Sequence, residues 1–328
     1  MICEIEDKIF TVEQADFEQL ALDVFQFQYN NNAIYQHYVN ALSIVGSNVR
    51  SIDQIPFLPI RFFKTTDIKT TVFEPEAVFE SSGTTQTVNS RHYVKDLNMY
   101  RRSFLQAWEQ FYGPVTDWCV IGLLPAYLER QNSSLVVMVN EMIKLSRHAH
   151  SGFYLYEHEK LAAVLQELEK QGQKTILIGV TFGLLDFAEK YPMPLQHTVV
   201  METGGMKGRR REMTREEVHL LLTTAFQTHA IHSEYGMTEL LSQAYSYGDG
   251  VFNCPPWMKV LVRQDDDPLD VRLSGSGVIN VIDLANLYSC SFIATDDVGI
   301  VTADGSFEVL GRVDTSDIRG CNLLIAGV

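Results

Sequence analysis

The chain is predicted to be an α/β protein, a mainly parallel sheet flanked by helices with a smaller antiparallel β subdomain beside it. Three observations lead there. From Phe79 to about residue 235 short apolar runs alternate with amphipathic stretches of helical period, the pattern of βαβ units. Beyond Gly248 the texture changes to short strands separated by glycine and aspartate, which reads as antiparallel. The 328 residues are 46% hydrophobic and 20% charged, the balance of a folded globular chain with ample material for a core.

Taken in order, Phe17, Leu20, Ala21, Val24 and Phe25 recur at helical spacing, and a second helical stretch runs from Ala33 to Ile44. Asn30, Asn31 and Asn32 mark the break between them. Pro56 and Pro59 forbid a regular helix across Ile55 to Ile60 and predict an extended, partly buried segment. Helices are then expected over Val94 to Tyr112, Ser133 to Arg147, Glu157 to Gln171, Leu184 to Lys190 and Thr214 to Gln227. Strands are expected over Trp118 to Leu124, Phe153 to Tyr156, Thr175 to Val180, Gln196 to Met201 and Ala230 to Ser233. The later strands are Lys259 to Arg263, Gly277 to Asp283, Gly299 to Thr302 and Phe307 to Leu310. Ligands of such parallel sheets sit at the carboxyl ends of the strands.

Charge and cysteine usage narrow the partners. With 41 acidic and 26 basic side chains the formal charge is −15, which repels nucleic-acid backbones and anionic membranes. No eighteen-residue apolar run occurs, and Glu4, Glu6 and Asp7 precede any apolar stretch, so neither a membrane anchor nor a secretory leader is expected. The five cysteines, Cys3, Cys119, Cys254, Cys290 and Cys321, are too widely spaced for a metal knuckle or a disulfide framework; free thiols in a cytoplasmic protein are expected.

Four segments carry chemistry-bearing residues. Ser81, Ser82, Gly83, Thr84 and Thr85 surround a glycine with hydroxyls, a phosphate cradle or a polar turn capping a helix; no lysine stands where a Walker A loop requires one. Gly204, Gly205 and Gly208, with Lys207, Arg209, Arg210 and Arg211, form either an anion-binding loop or a solvated strand-to-helix connection. Tyr235, Gly236, Thr238 and Glu239 combine a ring, a hydroxyl and a carboxylate at a strand end, suited to a base, a phosphate and a divalent cation, or else to starting a helix. Asp296, Asp297, Arg312 and Asp314 offer carboxylates for ribose hydroxyls and a guanidinium for an anion, or two solvated turns.

Taken in this order the four segments resemble the motifs of the adenylate-forming ligase superfamily: Ser81 through Gln86, Tyr235 through Glu239, Thr295 through Asp297, and Gly311 through Asp314. Pro56-Phe57-Leu58-Pro59 followed by Phe62-Phe63-Lys64, the glycine-rich Gly204 to Gly208, and Asp317 through Cys321 narrow the likeness to acyl-protein synthetases of bacterial bioluminescence and, more distantly, to phenylacetate–CoA ligases. The resemblance implies the large N-terminal domain of these enzymes without their mobile C-terminal domain, residues 1–250 forming the helical region and α/β core and 251–328 completing the nucleotide site. It also implies that MgATP converts a carboxylic acid, of the fatty class, to an acyl-adenylate whose acyl group then passes to a thiol.

By the same resemblance Ser81 through Thr85, with Gly204 and Gly205, embrace the phosphates. Tyr235 packs on adenine, Thr238 touches the α-phosphate, Glu239 holds Mg²⁺, and Asp297 and Arg312 bind ribose. Gln86 stands where the family loop ends in glycine, which restricts the backbone there. Eight residues follow Gly320, so the lysine of the family's C-terminal domain needs a substitute, for which Lys207 is the candidate, an exposed lysine being the alternative. The resemblance gives Cys321 as the acyl acceptor; the other reading is a small buried hydrophobe. A coenzyme A ligase lacking its lid, or a silent nucleotide-binding scaffold, are the alternative functions. An acyl reductase or acyl-carrier thiol is the implied partner. His229 and His232 lack a third metal ligand, Gly275-Ser276-Gly277 lacks a dinucleotide-binding context, and Asp265 to Asp267 read as a solvated loop.

Overall fold

The computed structural model describes residues 2–81, 88–124, 132–204 and 213–313. Its centre is a six-stranded sheet in the order Gly152–Phe153, Cys119–Leu123, Thr175–Val180, Thr198–Thr203, His232–Tyr235 and Ala244–Ser246; the first five strands are parallel and the last runs antiparallel. These strands are apolar on both faces because both are covered. Val120, Ile176 and Ile178 point to one core with Tyr100 and Phe104 of the helix Leu97–Tyr112 and Met142 of Ser134–Ser146. Ile121, Leu123 and Leu177, one residue out of phase, point to a second core beneath His158–Gln171, Thr181–Lys190 and Arg215–Phe226.

The chain leaves Cys119–Leu123 toward one edge and returns past it to Thr175–Val180 before continuing to the other edge. The strand order therefore reverses beside these two strands, and such a reversal opens a crevice at the carboxyl ends.

A second, seven-stranded sheet follows the order Val251–Phe252, Phe307–Arg312, Phe292–Val301, Gly275–Asp283, Met258–Arg263 and Val271–Arg272, with Leu58–Pro59 added in parallel to Ile293 and Ala294. The extended segment dictated by the two prolines thus exists, and it closes onto the antiparallel sheet: the Ile60 N–H donates to Ala294 O at 2.9 Å. The asparagine break also holds. Helices Phe17–Asn31 and Ala33–Ala41 meet at Asn32, whose side chain accepts the Tyr35 N–H and donates to Thr70 Oγ1 and Ser289 O.

Both helices pack on the antiparallel sheet. Phe25, Tyr35 and Phe57 surround the Phe292 ring at centroid distances of 6.1, 6.1 and 6.2 Å. Gln28, fully buried, donates to Asn286 O, Leu287 O and Ser291 Oγ and accepts the Ser291 N–H.

Boundaries differ from the sequence expectation at several elements, and the N-terminal helix is one it left undelimited. The helix expected from Val94 begins at Leu97, because Asp96 is extended and its side chain accepts the Asn98 N–H; Arg91–Val94 instead pairs with Ala77–Glu80 as a hairpin. The acidic N-terminus forms a helix, Ile2–Ile9, whose Ile5 and Ile9 are buried. The strand expected at Gly299 begins at Phe292, since Thr295 and Asp297 face inward and interrupt the apolar alternation. Among the described residues no helix is long and apolar enough to cross a membrane.

Replacing Gln28 with Ala removes every bond between this amide and the sheet and strands two carbonyls and an N–H in a dry interior. A loss of about 2–4 kcal/mol in urea unfolding is expected, larger than for Gln19→Ala on the same helix.

Candidate active site

The strand His232–Tyr235 ends at the carboxyl edge of the central sheet and delivers the turn through Glu239 to the face of the antiparallel sheet. Tyr235 bridges the two sheets. Its ring packs against Phe252 and Phe307 at 5.9 and 5.3 Å, and its hydroxyl donates to Asp297 Oδ2 at 2.9 Å. Asp297 Oδ1 receives Arg312 Nε at 2.7 Å, the two residues being register partners on adjacent strands. Asp297 is buried, whereas the Arg312 side chain is largely exposed. Burial and the neighbouring Asp297 charge push the Tyr235 phenol well above its ordinary pKa; the same carboxylate raises that of Arg312. Three of the residues singled out from sequence therefore form one hydrogen-bonded row, although 62 positions separate Tyr235 from Asp297.

The turn itself is held by polar groups from outside it. His92 Nδ1 lies 2.8 Å from Thr238 O, which fixes the proton on Nδ1, because a carbonyl only accepts. Asn286 Nδ2 donates to Glu239 O at 2.7 Å. Asp283, fully buried, takes the Leu241 and Ser242 N–H groups on Oδ2 and Ser242 Oγ and the Ala285 N–H on Oδ1. Ser242 joins Ser103 and Trp257 Nε1, which ties the turn to the helix Leu97–Tyr112.

The Glu239 carboxyl is buried and lies within hydrogen-bonding reach of Ser90; burial raises its pKa, and the Ser90 hydroxyl and the charges of Arg312 and Lys64 oppose the rise. A buried carboxylate so poorly compensated suits a hard cation, and one carboxylate beside a phosphate site is the usual protein share of a Mg²⁺ shell. Among the described residues no cluster of three or more metal-ligating side chains exists.

Across the strand end, Thr203 Oγ1 donates to Glu234, whose carboxyl lies over the exposed α-carbon of Gly236; a Cβ there would come within 2.3 Å of Glu234 Oε1. Burial, aided by the nearby Glu202, raises the Glu234 pKa to about 7 against the pull of Thr203. Gly204, with φ of 70°, ends the neighbouring strand, and its carbonyl accepts Thr181 Oγ1. On the opposite face Glu202 accepts from Thr181 and stands 3.7 Å from Arg215 Nε and 3.8 Å from His219 Nε2.

Of the phosphate-loop residues, Ser81 is described: its N–H donates to Ser90 O and its hydroxyl accepts the Ser90 N–H at 2.8 Å, which brings the loop's first residue next to the residue that faces Glu239. Ser82, Gly83, Thr84, Thr85, Gly205, Lys207 and Cys321 lie outside the described residues. Sequence reasoning missed Asp283 and Asn286, which no local pattern marks; Glu234 opens the Tyr235 segment and Lys64 closes the proline-rich one, and neither was given a role there.

Residues 10–327 match the family of acyl-protein synthetases, LuxE, and the chain belongs to that family. It is 23% identical over 99% of its length to the long-chain-fatty-acid–luciferin-component ligase of Aliivibrio fischeri, covering 94% of that protein, and 22% identical to the Vibrio harveyi enzyme of the same name over 98% of its own length and 92% of that chain. Among solved structures it resembles 2-hydroxyisobutyryl-CoA ligase in complex with an acyl-AMP, with a TM-score of 0.65, 12% identity, 94% of this chain and 70% of the other covered. It also resembles ATP-bound MatB from Rhodopseudomonas palustris, with a TM-score of 0.54 and 15% identity over 74% of this chain; it spans half of the MatB chain. The α/β expectation with its second, antiparallel sheet is borne out by the topology and by these likenesses.

Burial lowers the His92 pKa to about 4, so the folded protein keeps this ring neutral while the unfolded chain protonates it near 6.5. Stability from His92 is complete above the unfolded pKa and is lost as pH falls from 6.5 toward 4, amounting to about 2 kcal/mol between pH 7 and pH 5. Glu234, with its raised pKa, acts with the opposite sign in the same window. Urea unfolding at pH 7 and pH 5 of wild type and His92→Gln isolates the histidine: the variant should lose less stability on acidification.

Proposed function

We propose that this chain joins a carboxylic acid, fatty in class, to a thiol at the expense of ATP. What supports the reading is the hydrogen-bonded row of Tyr235, Asp297 and Arg312, which lies beside the fixed Thr238–Glu239 turn at the carboxyl ends of a sheet with adenylate-forming topology.

In the first step an acid carboxylate oxygen attacks the α-phosphorus, a new P–O bond forms, and the bond to pyrophosphate breaks. In the second a thiolate attacks the acyl carbon, AMP leaves, and the thiol proton goes to solvent. Asp297 and Arg312 would grip the ribose, Tyr235 would border the adenine, and the loop beginning at Ser81, with Gly204 and Gly205, would wrap the phosphates. Glu239 would hold Mg²⁺, which supplies charge neutralisation to the phosphates when bound. Thr238, with its carbonyl fixed by His92, would present its hydroxyl to the α-phosphate. Catalysis on this scheme is positioning and electrostatics on groups that do not have to reorganise.

We further propose residues 1–250 and 251–328 as the two regions that meet at this site, and Cys321 as the thiol that receives the acyl group before a reductase or carrier thiol takes it onward. The names of the Aliivibrio fischeri and Vibrio harveyi relatives support a long-chain fatty acid as substrate.

Incubated with MgATP, labelled pyrophosphate and a panel of carboxylic acids, the protein should move label into ATP only when its acid is present; no acid-dependent exchange with any chain length overturns the reading. Asp297→Ala should raise the ATP KM in this assay by about 10- to 100-fold, the value of a charge-assisted contact. In a single turnover, intact-mass measurement should find one acyl thioester that Cys321→Ala lacks while its exchange rate stays normal.

A further inference from the structure

Bringing a carboxylate to a polyphosphate sets like charges against each other, and breaking the bond to pyrophosphate concentrates still more negative charge on the leaving group. The described surroundings of the turn are themselves acidic: Glu239, Glu234, Glu202 and Asp297 all lie at these strand ends, in a chain of net charge −15. Positive charge must come from somewhere, and among the described residues three cations lie close enough to be considered. Arg312 is tied to Asp297 at 2.7 Å. Arg215 donates to Val309 O at 3.0 Å, lies over the Phe252 ring and is 3.7 Å from Glu202. The third is Lys64, exposed and without an ion pair among the described residues.

The backbone under Lys64 is fixed in relation to the turn. Pro56 and Pro59 stiffen the approach, Leu58 and Pro59 pair with Ile293 and Ala294 three residues before the row that ends at Asp297, and the one-turn helix Phe62–Thr65 follows. Phe63 is fully buried and stands edge-on to the His92 ring at 5.9 Å and 87°, and that ring holds Thr238 O. Lys64 is the next residue, and its charge reaches the Glu239 carboxyl. A flexible ammonium on a rigid base, with no ion pair among the described residues, is suited to meet phosphoryl oxygens when they arrive.

We propose that Lys64 is a catalytic residue of the adenylation step, its ammonium meeting the phosphate oxygens across from Glu239 and neutralising the charge that builds as pyrophosphate departs. The proposal rests on the acid-activating reading above and goes beyond it in assigning the cation. It also gives the buried Phe63 a purpose: the aromatic contact with His92 sets the lysine and the Thr238 turn in one register.

The test is acid-dependent pyrophosphate exchange by wild type, Lys64→Ala, Lys64→Arg and Lys64→Cys. Lys64→Ala should lose about 10²- to 10³-fold in kcat, as for removal of one fixed donor to a developing anion, with the ATP KM changed by less than about threefold and melting unaltered. Lys64→Arg should keep part of the rate. Lys64→Cys should be as slow as the alanine variant and regain activity after its thiol is converted with 2-bromoethylamine to an aminoethyl group, relative to wild type treated alike; a residue with only a structural role would show no such recovery. Exchange by folded Lys64→Ala within about threefold of wild type, or no recovery on aminoethylation, overturns Lys64 and leaves the acid-activating reading standing. Failure of wild type to exchange with any acid overturns that reading, and the role of Lys64 with it.

Discussion

Burying the turn that follows His232–Tyr235 obliges the protein to answer every polar group on it, and that obligation organises the molecule. Backbone carbonyls and N–H groups out of water each need a partner. Here the Thr238 carbonyl is met from the hairpin by His92, the Glu239 carbonyl by Asn286 in the helical turn after Gly275–Asp283, and the Leu241 and Ser242 N–H groups by Asp283 at that strand's end. Two parts of the chain far from it in sequence, around His92 and around Asp283 to Asn286, are thereby fixed on one loop. Glu239 takes its position from the bond its own main-chain carbonyl accepts, while its carboxyl lies within reach of Ser90.

The same arrangement separates tasks between the two sheets. The parallel sheet supplies the strand ends, Thr181, Thr203, Gly204 and Tyr235, and the crevice that its reversed order creates. The antiparallel sheet supplies charge, through Asp297 and its register partner Arg312. Tyr235 is the rivet between them, its ring among Phe252 and Phe307 and its hydroxyl on Asp297. The candidate site of this chain thus lies at a seam between the two sheets.

How much of this was legible beforehand depended on the range of the interaction. Thr175–Val180 falls where its β-rich run lies because fully buried parallel strands are apolar throughout, and the break at Asn32 was visible because asparagine is a strong cap. The hairpin Ala77–Glu80 with Arg91–Val94 was not, since His92 and Arg91 break its apolar alternation for reasons that lie at Thr238. At the site, Tyr235, Thr238, Glu239, Asp297 and Arg312 were readable as motifs in order. Asp283 and Asn286 were opaque: a buried aspartate four partners deep is spelled in sequence no differently from one in a solvated loop. Lys64 was in view as part of a motif, but its nearness to Glu239 depends on the packing of Phe63 on His92.

Gln28 and Asn32 find their partners at Asn286, Leu287, Ser289 and Ser291, between 257 and 263 positions later. The first helices can pack on the segment through Phe57 early, but the partners of Gln28 and Asn32 are made 257 or more positions later. Pairings that distant carry a loop-closure cost that slows their formation, so the seam between the chain's beginning and its antiparallel sheet is knit late.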